Sequence, residues 1–237
     1  MRVKSVLNAL SLLSRTNTPP SVYLALAATA LRRRSMPRAG DIAAGAHFSA
    51  DWTSSVVPYW LDAFKRTGLE PQRILEIGAY EGLTSQFLLA TFPQAQMTCV
   101  DTWKGGDGVA AGPVIEANFD TNMARFGGRV RKVKARSVEL LTGLGANERF
   151  DLIYVDGSHY VDDVLTDALQ GFAHLSLGGL MIFDDYLWSM YENSRDNPAA
   201  AINAFLRLKA DQYRLVSAYY QIIICADRIR PRRRVTV

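Results

Sequence analysis

Short apolar runs rich in β-branched residues alternate along residues 50–227 with stretches whose apolar positions recur every three or four residues. Arg73–Ile77, Met97–Asp101, Val130–Val133, Phe150–Asp156 and Gly179–Phe183 read as strands. Thr84–Thr91 and Ala199–Leu208 read as helices, as does Val161–Leu175, where Val161, Val164, Leu165, Ala168, Leu169 and Phe172 keep helical spacing. Leu215–Ala226 fits two closing strands. The alternation predicts an α/β fold, a Rossmann-like doubly wound sheet with right-handed crossovers. Ligands of such sheets bind beyond the carboxyl ends of the strands, so the polar residues standing there carry the chemistry.

The first forty residues follow another pattern. Val6, Leu7, Leu10, Leu12 and Leu13 give a short amphipathic stretch, Thr18-Pro19-Pro20 interrupts it, and Val22–Leu31 is a second helix that ends in Arg32-Arg33-Arg34. A short N-terminal helical extension packed on the main domain or on a partner subunit is expected. A basic membrane-surface or polyanion contact is the sharper alternative. Ala28-Thr29-Ala30 resembles a cleavage site, but the arginines follow the apolar run where a targeting peptide has them first. The expected division is a basic extension over 1–45, a main domain over 46–227 and a basic tail over 228–237.

A chain of 237 residues, 49% hydrophobic and 21% charged, has room for one packed α/β domain with a small appendage. Its net charge of +4 is uneven. Residues 1–38 hold seven basic side chains and no acid, and residues 228–237 hold five arginines and no acid. The body between them keeps 15 basic against 23 acidic groups, so it is acidic, and a nucleic-acid partner is disfavoured. Cys99 and Cys225 are too few for a disulfide framework or a cysteine zinc site, and they read as buried thiols in a reducing, cytoplasmic setting. No apolar run is long enough to span a bilayer.

The first strand leads into Glu76-Ile77-Gly78-Ala79-Tyr80-Glu81-Gly82, where glycines permit a tight turn and a close backbone approach. The spacing is not that of the dinucleotide fingerprint, and a purely structural turn is the plain alternative. Asp101 ends the second strand, 23 residues beyond Gly78, where an acid can accept both ribose hydroxyls of a nucleoside or simply cap the next turn. Trp103 could pack beside an adenine or belong to the core. The fourth strand ends in Asp156-Gly157-Ser158-His159 and the fifth in Asp184-Asp185-Tyr186. Adjacent parallel strands lie about 4.8 Å apart, so these carboxylates converge. Their repulsion is relieved by a hard cation such as Mg²⁺, unless Asp184 and Asp185 only cap a turn. His159 is either a helix-start residue or a proton acceptor. Asp162, Asp163 and Asp167 read as helix-face acids outside the site, and His47 and His174 carry no partner signal. No Gly-x-Ser-x-Gly elbow or phosphate-binding lysine loop occurs.

Leu75–Gly82 and Cys99-Val100-Asp101-Thr102-Trp103 resemble motifs of the class I S-adenosylmethionine-dependent methyltransferases. Tyr154–His159 and Gly178–Tyr186 are similar to the metal-dependent small-molecule O-methyltransferases of the macrocin and cephalosporin pathways. The resemblance covers about residues 50–227. It implies seven strands with the last antiparallel, and a donor cradle of Glu76, Gly78, Ala79, Tyr80 and Gly82. It further implies Asp101 and Thr102 at the ribose, Ser137 at the adenine edge, and Asp156 between the donor and a divalent metal (Mg²⁺ or another) held with Asp184 and Asp185. Where several relatives carry a second acid this chain has Ser158, which makes His159 the candidate base beside Asp156.

The expected function is O-methylation of a small hydroxylated acceptor, a sugar, diol or catechol. The alternative is a non-catalytic module that binds the donor and docks through its basic ends. A homodimer through the N-terminal helices, and acceptor selectivity in Gly105–Asn118 and Trp188–Pro198, complete the expectations.

Overall fold

The computed structural model describes residues 3–105 and 113–227. The basic tail and residues 106–112 of the first expected selectivity loop lie outside them. Seven strands form one sheet: β1 (Arg73–Ile77), β2 (Gln96–Asp101), β3 (Val130–Lys134), β4 (Phe150–Val155), β5 (Leu175–Phe183), β6 (Tyr213–Ala218) and β7 (Ile222–Ala226). Their order is β3-β2-β1-β4-β5-β7-β6. Strands β1 to β5 pair in parallel, and β7 runs antiparallel to both of its neighbours. The strand order reverses between β1 and β4, the switch point where open α/β sheets bind ligands.

Alternation along the strands assigns the two faces. Ile74, Leu152, Tyr154, Leu180, Ile182, Ile223 and Cys225 face α3 (Val57–Thr67), α4 (Leu83–Thr91) and α5 (Pro113–Met123). Leu75, Ile77, Ile153, Val155, Met181, Phe183 and Ile224 face the opposite layer. That layer comprises α1 (Val3–Arg15), α2 (Pro20–Arg32), α6 (Ser137–Gly143), α7 (Val161–Ala173) and α8 (Pro198–Leu208). Each fully buried aliphatic side chain contributes about 1.5–3 kcal/mol, which is why the near-continuous apolar strands of a two-sided sheet are its firmest parts.

Three differences from the sequence pattern have physical causes. β5 starts at Leu175 instead of Gly179, because Gly178 at φ 79° carries the chain through an irregularity in its pairing with β4. The expected loop over Gly105–Asn118 turns helical at Pro113, where Ile115, Phe119, Asn122 and Met123 bury with helical spacing. α3 and α6 were not foreseen; α3 buries Val57, Trp60, Ala63 and Phe64 at spacings of three and four.

The N-terminal segment is tied to α8 and to the sheet by polar contacts. Asn203 Nδ2 donates to Thr16 O, Thr16 Oγ1 and Thr18 Oγ1 at 3.0–3.1 Å, and the Arg207 guanidinium reaches Asn17 at 2.9 Å. On α2, Thr29 Oγ1 lies 3.3 Å from Ser217 Oγ and accepts the Ala218 amide at 3.3 Å. Both cysteines are buried and reduced.

Candidate functional site

β1 opens into its loop through Gly78 at φ 85°, and α4 begins at Gly82, φ 87°. A β-carbon on Gly78 would fall 1.8 Å from the Asp156 carbonyl oxygen, so the glycine lets the ends of β1 and β4 touch. The close approach expected for a ligand is made here first by the backbone of β4. At Gly82 a β-carbon would meet the Met123 methyl at 2.9 Å beneath α5. Ala79 is buried, and Tyr80 has φ 47° with its hydroxyl 3.0 Å from Ser49 Oγ and its ring 5.1 Å from that of Trp52.

Glu76 is fully buried on the α4 side of β1. Ser85 Oγ donates to its Oε2, while Oε1 is buried with no hydrogen-bond partner. Burial above all, with a smaller push from Asp101, raises its carboxyl to about 8. An unsatisfied carboxylate oxygen under a glycine loop fits a ligand that brings a cationic donor group, whose charge would favour the ionised form.

Asp101 closes β2. Its Oδ2 accepts the amides of Ala79 and Tyr80, both at 2.9 Å, and its Oδ1 accepts the Trp103 amide at 2.7 Å. The carboxylate therefore shapes the glycine loop from the neighbouring strand. About four lone-pair sites belong to a carboxylate and three are taken by these amides, so one ribose hydroxyl can still donate to it. Thr102 Oγ1 accepts the Lys104 amide at 3.3 Å. Trp103 is core: it is buried, and its Nε1 donates to Tyr80 O at 2.8 Å.

Ser137 starts α6 one strand over, and its hydroxyl hydrogen-bonds Asp167. Asp167, read from the sequence as a helix-face acid outside the site, is a buried one. It falls on the same side of α7 as Val164, Ala168 and Gly171, and is buried. Burial raises its carboxyl to about 6, opposed by the Ser137 hydrogen bond. The folded state thus holds this proton more tightly than the unfolded chain, whose aspartates titrate near 3.9. Its stabilising contribution is complete below about pH 4 and is lost as pH rises through 6. Asp167→Asn removes that loss, so at pH 7.5 the variant should be more stable by about 3 kcal/mol, shrinking toward zero near pH 4. Denaturant melts at the two pH values check this; equal stability of the two proteins at pH 7.5 contradicts it.

Asp156, Asp184 and Asp185 stand at the ends of β4 and β5, and Asp184 N donates to Val155 O at 3.0 Å. The structure gathers Asp156, His159 and Asp185, with one potential ligand atom from each within 4.8 Å of the others. A cavity of about 10 Å³ lined by Asp156, Ser158, His159, Asp184 and Asp185 gives the room of one water or ion. Asp185 sits at φ 56°, a left-handed turn that costs an aspartate about 1 kcal/mol and swings its carboxylate toward His159. His159 Nε2 lies 2.7 Å from Asp185 Oδ2, and the imidazole stacks on Trp188 at 4.5 Å between centroids and 16° between planes.

The expected trio lines one cavity, but the oxygens of Asp184 are engaged elsewhere. Its Oδ1 accepts the Asp185 amide at 2.7 Å, and its Oδ2 accepts the Tyr154 hydroxyl, which also lies 3.2 Å from Asp156 Oδ2. A buried chain continues inward: Gln221 Nε2 lies 3.4 Å from the Tyr154 hydroxyl, and Trp60 Nε1 donates to Gln221 Oε1 at 2.5 Å. Burial first, then Asp184 and Asp185, pushes Asp156 well above the carboxylate range, and burial with Asp185 raises Asp184 to about 6. Burial and the same carboxylates raise the Tyr154 hydroxyl, which stays a neutral donor. Sequence reading gave no role to Tyr154, Gln221 and Trp60, and it placed Trp188 only in an acceptor-selectivity segment. Only Tyr154 had a signal, its place two residues before Asp156 on one face of a strand.

Residues 75–186 match the family model described as a methyltransferase domain, and the sheet carries the class I order with its reversed last strand. Residues 75–186 thus carry a methyltransferase domain. No curated protein sequence matches the chain. Among solved structures it is similar to the SAH-bound methyltransferase PaMTH1 of Podospora anserina, at 18% identity and TM-score 0.55, covering 84% of this chain and 93% of that one. The O-methyltransferase TomG of Streptomyces achromogenes, in complex with SAM, aligns at 12% identity and TM-score 0.56 over 87% and 98%. MycE of the mycinamycin pathway, in complex with Mg and SAH, aligns at 18% and 0.52 over 75% of this chain and 51% of its own. At these identities the likeness is one of fold.

Proposed function

We propose that this chain transfers the methyl group of S-adenosylmethionine to a hydroxyl of a small polyhydroxylated or catechol-like acceptor, with a divalent cation at the carboxylate cluster. The observation that carries the reading is a juxtaposition. The β1 loop with its unsatisfied buried carboxylate touches the β4 end that presents Asp156, and the Asp156–His159–Asp185 cluster lies next to it. TomG and MycE, whose complexes hold SAM, or SAH with Mg, have the same fold.

S-adenosylmethionine when bound supplies a methyl on a sulfonium, open to in-line attack by an oxygen lone pair. A cation held by Asp156 and Asp185, with Asp184 or His159 beside them, supplies Lewis acidity that lowers the pKa of a hydroxyl. The chain's own residues do the rest. Glu76, Gly78, Ala79, Tyr80 and Gly82 shape the methionine side of the cradle, Asp101 and Thr102 meet the ribose, and Ser137 borders the adenine. Tyr154 joins Asp184 and Asp156 through its hydroxyl, which fixes the spacing of the two carboxylates. His159 Nε2 lies 2.7 Å from Asp185 Oδ2 and Trp188 fixes the plane of the ring, which holds the imidazole at the cluster as the group that takes the acceptor's proton. Trp188, Tyr191 and Tyr160 form an aromatic run beside it, with centroids 4.8 and 4.9 Å apart, a wall suited to a flat ring or a sugar face.

Removing metal with EDTA should stop turnover of vicinal diols and catechols, and Mg²⁺ should restore it, while Asp185→Ala stays inactive under both conditions and keeps donor affinity. Full activity in EDTA contradicts the cation, and methylation only of amines or thiols contradicts the acceptor.

A further inference from the structure

The outer face of α2 is apolar and, among the described residues, exposed. At 100° per residue, Pro20, Tyr23, Leu24, Ala27, Ala30 and Leu31 share one arc of about 120°, and all six are exposed. Leu24 and Leu31 are 73% and 85% exposed. The opposite side is fixed: Val22 is buried in the core, and Thr29 is hydrogen-bonded to β6. The outward face is therefore a consequence of docking. At its C-terminal end Arg33, Arg34 and Arg38 are exposed, Arg33 lying over the Tyr219 ring, while Arg32 pairs with Asp62 at 3.4 Å. No acidic residue precedes Asp41 in the chain.

We infer that this face of α2 seats the protein on an anionic lipid surface, with Leu24 and Leu31 in the acyl boundary and Arg33, Arg34 and Arg38 at the headgroup phosphates. An apolar helix face bordered by arginines, with no carboxylate in its own segment, is complementary to anionic lipid. Arginine stems lie along apolar surface while their heads stay with phosphate. A second copy of the chain is a poorer occupant. The face is about 17 Å long and about 10 Å wide, far below the roughly 800 Å² per partner of a stable interface. Among the described residues no helix is long and apolar enough to cross a membrane, so α2 would lie in the plane of the surface.

The test is co-sedimentation of the full chain with vesicles of phosphatidylglycerol and phosphatidylcholine against vesicles of phosphatidylcholine alone. Association is expected with the anionic vesicles only, weakened by salt. It should fall at least tenfold in Leu24→Glu/Leu31→Glu and severalfold in Arg34→Glu/Arg38→Glu, with unchanged melting because all four side chains are exposed. No association with anionic vesicles overturns the inference, as does equal association of the leucine variant. A native dimer that the leucine substitutions split, with no lipid binding, assigns the face to a second copy instead. None of these readouts depends on methyl transfer.

Discussion

Gly78→Ala should abolish donor binding and cost about 3 kcal/mol or more of stability. Two independent penalties act at this position. The residue sits at φ 85°, where a side chain is strained by about 1 kcal/mol. The added carbon would also fall 1.8 Å from the Asp156 carbonyl oxygen, with the Asp156 carbonyl carbon at 2.5 Å and Gly157 Cα at 2.8 Å. All three are backbone atoms, so no rotamer change relieves the clash, and β1 must part from β4 where the loop and the cluster meet. Overpacking of this kind ordinarily costs about 1–3 kcal/mol. Gly82→Ala is the internal comparison. There the nearest atom is the end of the Met123 side chain, so the stability loss should be smaller. Thermal melts of the two variants, with donor titration of whichever folds, check the order; a Gly78→Ala protein that binds donor normally contradicts it.

His159→Ala should lower turnover by about 10² to 10⁴ while leaving donor affinity within a small factor. The imidazole is aimed by Asp185 and by the Trp188 ring, both at the β5 end of the site. A merely structural histidine would give a different result. Added imidazole should recover part of the lost rate if the ring accepts a proton, whereas packing alone would not be restored by a free base. Unchanged turnover in the variant, or a loss that imidazole leaves untouched, removes His159 from the base role.

The fold was legible where burial is two-sided. Strands such as Leu152–Val155 and Leu180–Phe183 are unbroken apolar runs, and a run of that kind bounded by glycine or charge has few other homes. α6 spans only Ser137–Gly143, too short for a period to emerge, and α5 follows a glycine-rich stretch that reads as loop. The site was legible along single strands, since Glu76, Asp101, Asp156 and Asp185 each stand at a carboxyl end. What joins strands was not. The chain Trp60–Gln221–Tyr154–Asp184 links α3, the β6–β7 turn, β4 and β5, and no local spacing announces it. Asp167 was misplaced because a charged residue in a polar-looking helix reads as a helix-face acid, while its position relative to Val164 and Ala168 puts it inside.

The pairing of the β1 loop with Asp101 as a seat for the methyl donor is tested most directly by calorimetric titration of the full chain with S-adenosylmethionine and its demethylated product. Saturable one-to-one binding of both, weakened strongly by Asp101→Ala, is the predicted result. A flat titration with a folded protein contradicts the account.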